Sequence, residues 1–198
     1  MRLTRMLLTA ACLLLTCGVA AAQEQPPFLS PTPLEYPTRI EALLAETGTV
    51  IVRGHTRVGS MQGSRGNAYF TAWEVFDARS GRREQGISVE IGDAERDDYD
   101  ERVYIDYDEI APLLKGIEYL SKLGPQVTKL TRFEAQYQTR GGLRLIAFNT
   151  SNNFITAITT GEFGRCSRQR FILRPTGLAE FRTLIENARD LLDAARQP

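Results

Sequence analysis

YIDYDEIAPLLKGIEYL, residues 104–120, and ILRPTGLAEFRTLIENA, residues 172–188, decide the fold when one is laid over the other. The shift between them is 68 residues. Ile110 then falls on Leu178, Leu113 on Phe181, Ile117 on Ile185 and Glu118 on Glu186. Both apolar sets recur at three- and four-residue spacing, which marks a helix with one buried face. Just upstream, Val103, Tyr104 and Ile105 fall on Phe171, Ile172 and Leu173, so each helix follows a strand.

The same frame extends outward. Residues 87–91 fall on 155–159, and both read as strands. The first half holds strands at 49–53, 68–78, 87–91 and 103–107, then a helix over 109–123 that Gly124-Pro125 ends. In the second strand Phe70, Ala72 and Phe76 alternate with Tyr69, Thr71, Trp73 and Val75. The second half holds strands at 127–139, 143–148, 154–159 and 169–173, with a hairpin at Gly141-Gly142, and a helix from Thr176 nearly to the end. A degenerate internal repeat follows, with halves at about 49–124 and 125–198. The fold expected is α+β: two tandem β4-α units, each antiparallel sheet covered on one face by a helix.

This frame also bears on Asp106, Asp108 and Glu109, which could be a metal or acid–base site or could only start a helix. Asp108 aligns with Thr176, and both are good N-cap residues. Glu109 then sits in the first turn, where negative charge suits the helix dipole. Asp106 aligns with Arg174, so the architecture demands no acid there. Pro112 fits position N1 of a helix opening near Ala111.

The element order, four strands and a helix taken twice, resembles that of Whirly and PC4-like single-stranded DNA-binding proteins. The resemblance is one of topology alone; no motif accompanies it and no residue role is carried over. It implies single-stranded nucleic-acid binding as a third reading, against which charge and targeting speak.

Arg2 and Arg5, the apolar run 6–19 and Ala20-Ala21-Ala22 read as a signal peptide over 1–22. Its apolar run is too short to span a bilayer comfortably, so the mature chain is expected to carry no transmembrane segment. Cleavage leaves 22 Lys and Arg against 24 Asp and Glu, which is no footprint for a nucleic-acid binder. It also removes Cys12 and Cys17, leaving Cys166 without a disulfide partner. A periplasmic or secreted bacterial protein is expected. Leu14-Leu15-Thr16-Cys17 faintly matches a lipobox, which would instead make Cys17 a lipidated N-terminus. Residues 23–37, with five prolines, read as a tether before one domain over 38–198. Thr38-x-x-Glu41 is a capping box opening a short helix.

Candidate chemistry concentrates in RGHTRVGSMQGSRGN, residues 53–67. Its glycines and serines read as a long loop. Arg53, Arg57 and Arg65, with His55, could meet an anionic group there. A nucleophilic site would need His55 with Ser60, Ser64 or Cys166, and no family signature supports one. The acidic run 92–101 lacks the glycine and the final glutamate of a calcium loop. In the repeat frame, loop 92–102 carries six acids against two arginines. Its counterpart 160–170 carries Arg165, Arg168 and Arg170 against one glutamate. Such loops could pair on self-association or dock a polar partner. No catalytic constellation, metal site or cofactor motif is found. The leading expectation is therefore a non-enzymatic binding or protein-interaction module for an unknown protein or small anion. A hydrolase or thiol enzyme using His55 and Cys166 is the alternative.

Overall fold

A computed structural model describes residues 36–63, 66–92, 101–124, 126–150, 154–160, 171–174 and 176–196. The signal segment, most of the tether, residues 93–100 and 161–170 of the charged loops, and with them Ser64, Arg65, Arg165, Cys166 and Arg168, lie outside them.

The chain opens with a short helix, α1 (Arg39–Leu44). Thr38 caps it, its hydroxyl accepting from the Glu41 N–H at 3.2 Å and donating to the Glu41 carboxylate at 2.7 Å. Four strands and a long helix follow: β1 (Ile51–Gln62), β2 (Asn67–Asp77), β3 (Arg83–Gly92), β4 (Glu101–Asp106) and α2 (Tyr107–Ser121). The order then recurs: β5 (Glu134–Gln138), β6 (Arg144–Asn149), β7 (Phe154–Thr159), β8 (Phe171–Ile172) and α3 (Gly177–Arg196). Each set of strands forms an antiparallel sheet in sequence order. The two β4-α units of the sequence reading are thus the units of the fold.

The helical stripes superpose as the repeat requires. Ile110, Leu113 and Ile117 of α2 and Leu178, Phe181 and Ile185 of α3 are all buried. In the sheets the match slips. Val89 pairs with Phe70 and Val103, and Ile158 pairs with Leu145 and Phe171, all of them core residues. Ile158 therefore takes the place of Val89, one residue further on than a shift of 68 allows. An unadjusted shift would turn every side chain of β7 to the wrong face.

The units are interlocked. One core joins Met61, Phe70, Val89 and Ile105 of the first to Leu145, Ile158, Phe171 and Phe181 of the second. Helix α3 lies across β1, β2 and β3, so the second unit's helix covers the first unit's sheet. The rings of Phe181 and Phe70 meet edge to face there, 5.3 Å apart. Helix α2 packs between β3, β4, β5 and α3. The hairpin between β5 and β6 docks on β4 through Gly141, where a Cβ would stand 2.0 Å from the Tyr104 carbonyl oxygen.

Three boundaries differ in ways that bear on the site. Residues 53–62 are not loop: β1 runs on to Gln62. Helix α2 starts at Tyr107, with Asp106 in the cap position and Pro112 inside the helix. Pro112 lies on the exposed side, where water can take the carbonyl its missing N–H leaves free. Helix α3, by contrast, begins at Gly177, directly after Thr176, as expected. The strand expected over 127–139 shortens to β5. Val127 and Leu130 are exposed there, and Asn149 at the end of β6 seals the ladder. Its side chain accepts from the Phe133 N–H and donates to the Thr131 carbonyl.

Candidate functional site

Strand β1 is one strand with two halves. At Val58 the pairing with β2 skips a residue, a β-bulge. The bulge changes which side chains face the core. Beyond it Met61 enters the core, and Gly59 lies so close to α3 that a Cβ would come within 2.7 Å of Leu184. Before it, Arg53, His55 and Arg57 pair with Val75, Trp73 and Thr71 and share the opposite, outer face. Residues 52–57 are all exposed.

That face has an aromatic floor. The His55 ring stacks on Trp73 with centroids 4.8 Å apart. Trp73, the single tryptophan of the chain, is held on several sides. Its indole N–H donates to Ser88 Oγ at 2.8 Å, and Tyr104 meets it edge to face at 6.1 Å. Arg102 lies 5.7 Å from its centroid and reaches Glu90 at 3.0 Å. Trp73 is only 9% exposed, so its orientation is fixed before any ligand arrives. Arg57 lies 4.6 Å over the Tyr69 ring, a cation–π contact that does not use its in-plane N–H groups. Neither Arg53 nor Arg57 makes an ion pair with a described residue, whereas Arg39, Arg82, Arg83, Arg102 and Arg140 all do.

The carboxylates of the opening stretch have a different use. Asp106 is 1% exposed and accepts from the backbone N–H groups of Arg39 and Ile40 at 2.9 and 3.2 Å. It therefore caps α1, across the fold, and not the helix that follows it. Asp108 is bound by Arg39 and Arg140, each at 2.6 Å. Glu109 meets Arg140 at 3.3 Å. Partial burial lowers the basicity of Arg140, but Glu109 and Asp108 outweigh it and raise its pKa above the ordinary value. The three acids are a joint between α1, α2 and the β5–β6 hairpin. The N-cap role expected of Asp108 is not what it does.

Sequence reasoning missed a cleft of about 640 Å³ between α1, β2, β3, the start of α2 and the end of α3. Arg39, Glu74, Arg83, Glu84, Tyr107 and Arg196 line it. Its charges are already matched. Arg83 meets Glu74 at 2.6 Å and Arg39 meets Glu84 at 3.5 Å. Arg196 donates to Gln85 at 2.5 Å and lies over the Tyr107 ring. The Tyr107 hydroxyl bonds Asp193, which raises its pKa. No sequence signal joins these residues, because they come together only where α3 crosses the first sheet.

The nucleophilic pairing of His55 with Ser60 does not form. His55 lies beside Trp73 and Ser60 beside Tyr69, five residues along the strand, roughly 16 Å at the usual rise. No protein family, curated protein or solved structure matches this chain.

Proposed function

We propose that this protein is a non-enzymatic binding module that takes a carboxylate-bearing protein partner on Arg53, His55 and Arg57. One observation carries the reading: two arginines that make no ion pair with a described residue flank a histidine on an exposed strand face. A carboxylate arriving there would gain charge-assisted hydrogen bonds without breaking any ion pair among the described residues. The charged cleft offers no such gain. The N-terminal segment supports an exported chain acting in the envelope or outside the cell. No described helix is long and apolar enough to cross a membrane.

The arginines and aromatics also suit single-stranded nucleic acid, which binds by stacking bases on exposed rings. Trp73 is covered by His55, so its π-face is already occupied. That favours the carboxylate partner. Trp73 is also the built-in reporter. Titration with polyglutamate should change its emission with a strong salt dependence, and Arg53→Ala/Arg57→Ala should abolish the change. An unchanged response in the double variant would remove this site. A larger response to oligothymidylate than to polyglutamate would transfer the reading to nucleic acid.

A further inference from the structure

Strand β1 ends its sheet in the order β1-β2-β3-β4, and residues 52–57 are exposed along it. Helix α3 meets β1 beyond the bulge, at Gly59. On the side opposite Arg53, His55 and Arg57, Val52 is 38% exposed, and a Cβ on Gly54 would meet nothing nearer than the Glu74 carbonyl at 3.8 Å. Among the described residues, nothing pairs with the outer edge of the first half of β1, and residues 52–57 are exposed on both faces. Natural sheets usually shorten, cover or blunt such an edge, because its amides and carbonyls are a template for another chain.

The hydrogen-bonding direction of each residue is fixed. The Val50 carbonyl accepts from the Ala78 N–H at 3.0 Å, so it points at β2. By strand alternation Val52, Gly54 and Thr56 also point at β2, while Ile51, Arg53, His55 and Arg57 present their N–H and C=O groups outward. The residues whose backbone groups face away from β2 are those whose side chains form the cationic face. An extended chain on this edge would therefore be read twice, by backbone bonds and by alternate side chains.

Charge selects the occupant. A second copy pairing antiparallel about His55 would set Arg53 opposite Arg57 twice and His55 opposite itself. Like charges directly opposite one another destabilise a ladder. An acidic strand would put carboxylates at those positions. We propose that the free edge of β1 binds an extended peptide with acidic residues at alternate positions, as an antiparallel fifth strand of the sheet. This rests on the reading of Arg53, His55 and Arg57 as the binding surface, and adds how the partner is held.

The test uses the full mature chain and three fluorescent forms of one blocked peptide, Thr-Glu-Val-Glu-Val-Glu-Val-Thr. One is unmodified, one is N-methylated at its glutamate amides and one at its valine amides. All three carry the same charge. In the antiparallel arrangement the residues opposite Arg53, His55 and Arg57 turn their N–H groups to β1. Glutamate-amide methylation should weaken binding at least tenfold, and valine-amide methylation should leave it within about twofold. Equal binding of all three would overturn strand addition and leave the anionic site standing. Equal loss in both methylated forms would also overturn it, since the effect would then not be edge-specific. No binding of the unmodified peptide would overturn both readings. On the protein side, His55→Pro removes one outward N–H without touching the bonds to β2. It should bind at least fivefold more weakly than His55→Ala, and equal binding would count against the proposal. A free chain that sediments as a dimer, dissociated by His55→Pro, would give the edge to a second copy and overturn the acidic peptide.

Discussion

The two β4-α units share an element order and differ in what they do with it. Strands of the first run to 12, 11, 10 and 6 residues; those of the second run to 5, 6, 6 and 2. The shorter unit supplies the helix that closes the longer unit's sheet. The longer unit spends its extra length on a strand end that nothing described covers. Equivalent positions diverge in the same way. Asp106 is buried and caps α1, while its counterpart Arg174 bonds Gln62 at the surface. A repeat thus fixes the helices and the core, and leaves one copy free to acquire a surface feature that the other does not need.

The largest expected effect tests the interlock. Phe181→Ala should destabilise the whole chain by about 3–5 kcal/mol, because it empties the contact with Phe70 in the other unit. Chemical unfolding followed by Trp73 fluorescence should move together with far-ultraviolet circular dichroism. A loss of helix signal that leaves the Trp73 transition in place would separate the units. Next, Asp106→Ala should cost about 3 kcal/mol, since it strands two backbone N–H groups of α1 and a facing arginine. Arg174→Ala should change stability by less than about 0.5 kcal/mol. Similar costs at both positions would erase the contrast.

The smallest expected effect concerns the ends of the second strands. Asp77 closes β2 and Asn149 closes β6, each tying down the chain that precedes the first strand of its unit. The Ser80 hydroxyl, then the Thr49 hydroxyl and the Arg79 N–H, hold the Asp77 carboxyl well below the usual carboxylate range. A depressed folded-state pKa contributes stability that is full above the unfolded value, about pH 4, and is lost as pH falls below it. Asp77→Asn makes the two units alike. It should lower stability at neutral pH and flatten the decline between about pH 4 and pH 2, read from urea midpoints. An unchanged acid slope would assign that decline elsewhere.

The helices were legible because α2 and α3 bury one stripe each, and burial of a stripe leaves a period. The order of strands was legible for the same reason. What hid β1 was the bulge at Val58 together with Gly54 and Gly59. A bulge swaps the two faces in mid-strand, so Arg53, His55 and Arg57 point outward while Gly59 and Met61 turn inward on the same odd-numbered positions. No period of two survives that, and the glycines complete the appearance of a loop. Composition still grouped Arg53, His55 and Arg57, though it could not place them on an edge. The role of Asp106 was out of reach, because its partners lie 66 and 67 residues away on α1. The charged cleft was hidden likewise, since nothing in the sequence says that α3 covers the first sheet.

The first half of β1 is a formed strand whose outer edge pairs with no described residue. Amide hydrogen exchange, resolved residue by residue, tests it most directly. Slow exchange is expected at Val52, Gly54 and Thr56, fast exchange at Arg53, His55 and Arg57, and protection of the fast set when the acidic peptide binds. Fast exchange at all six would restore the loop, and slow exchange at all six in the free chain would show the edge already taken.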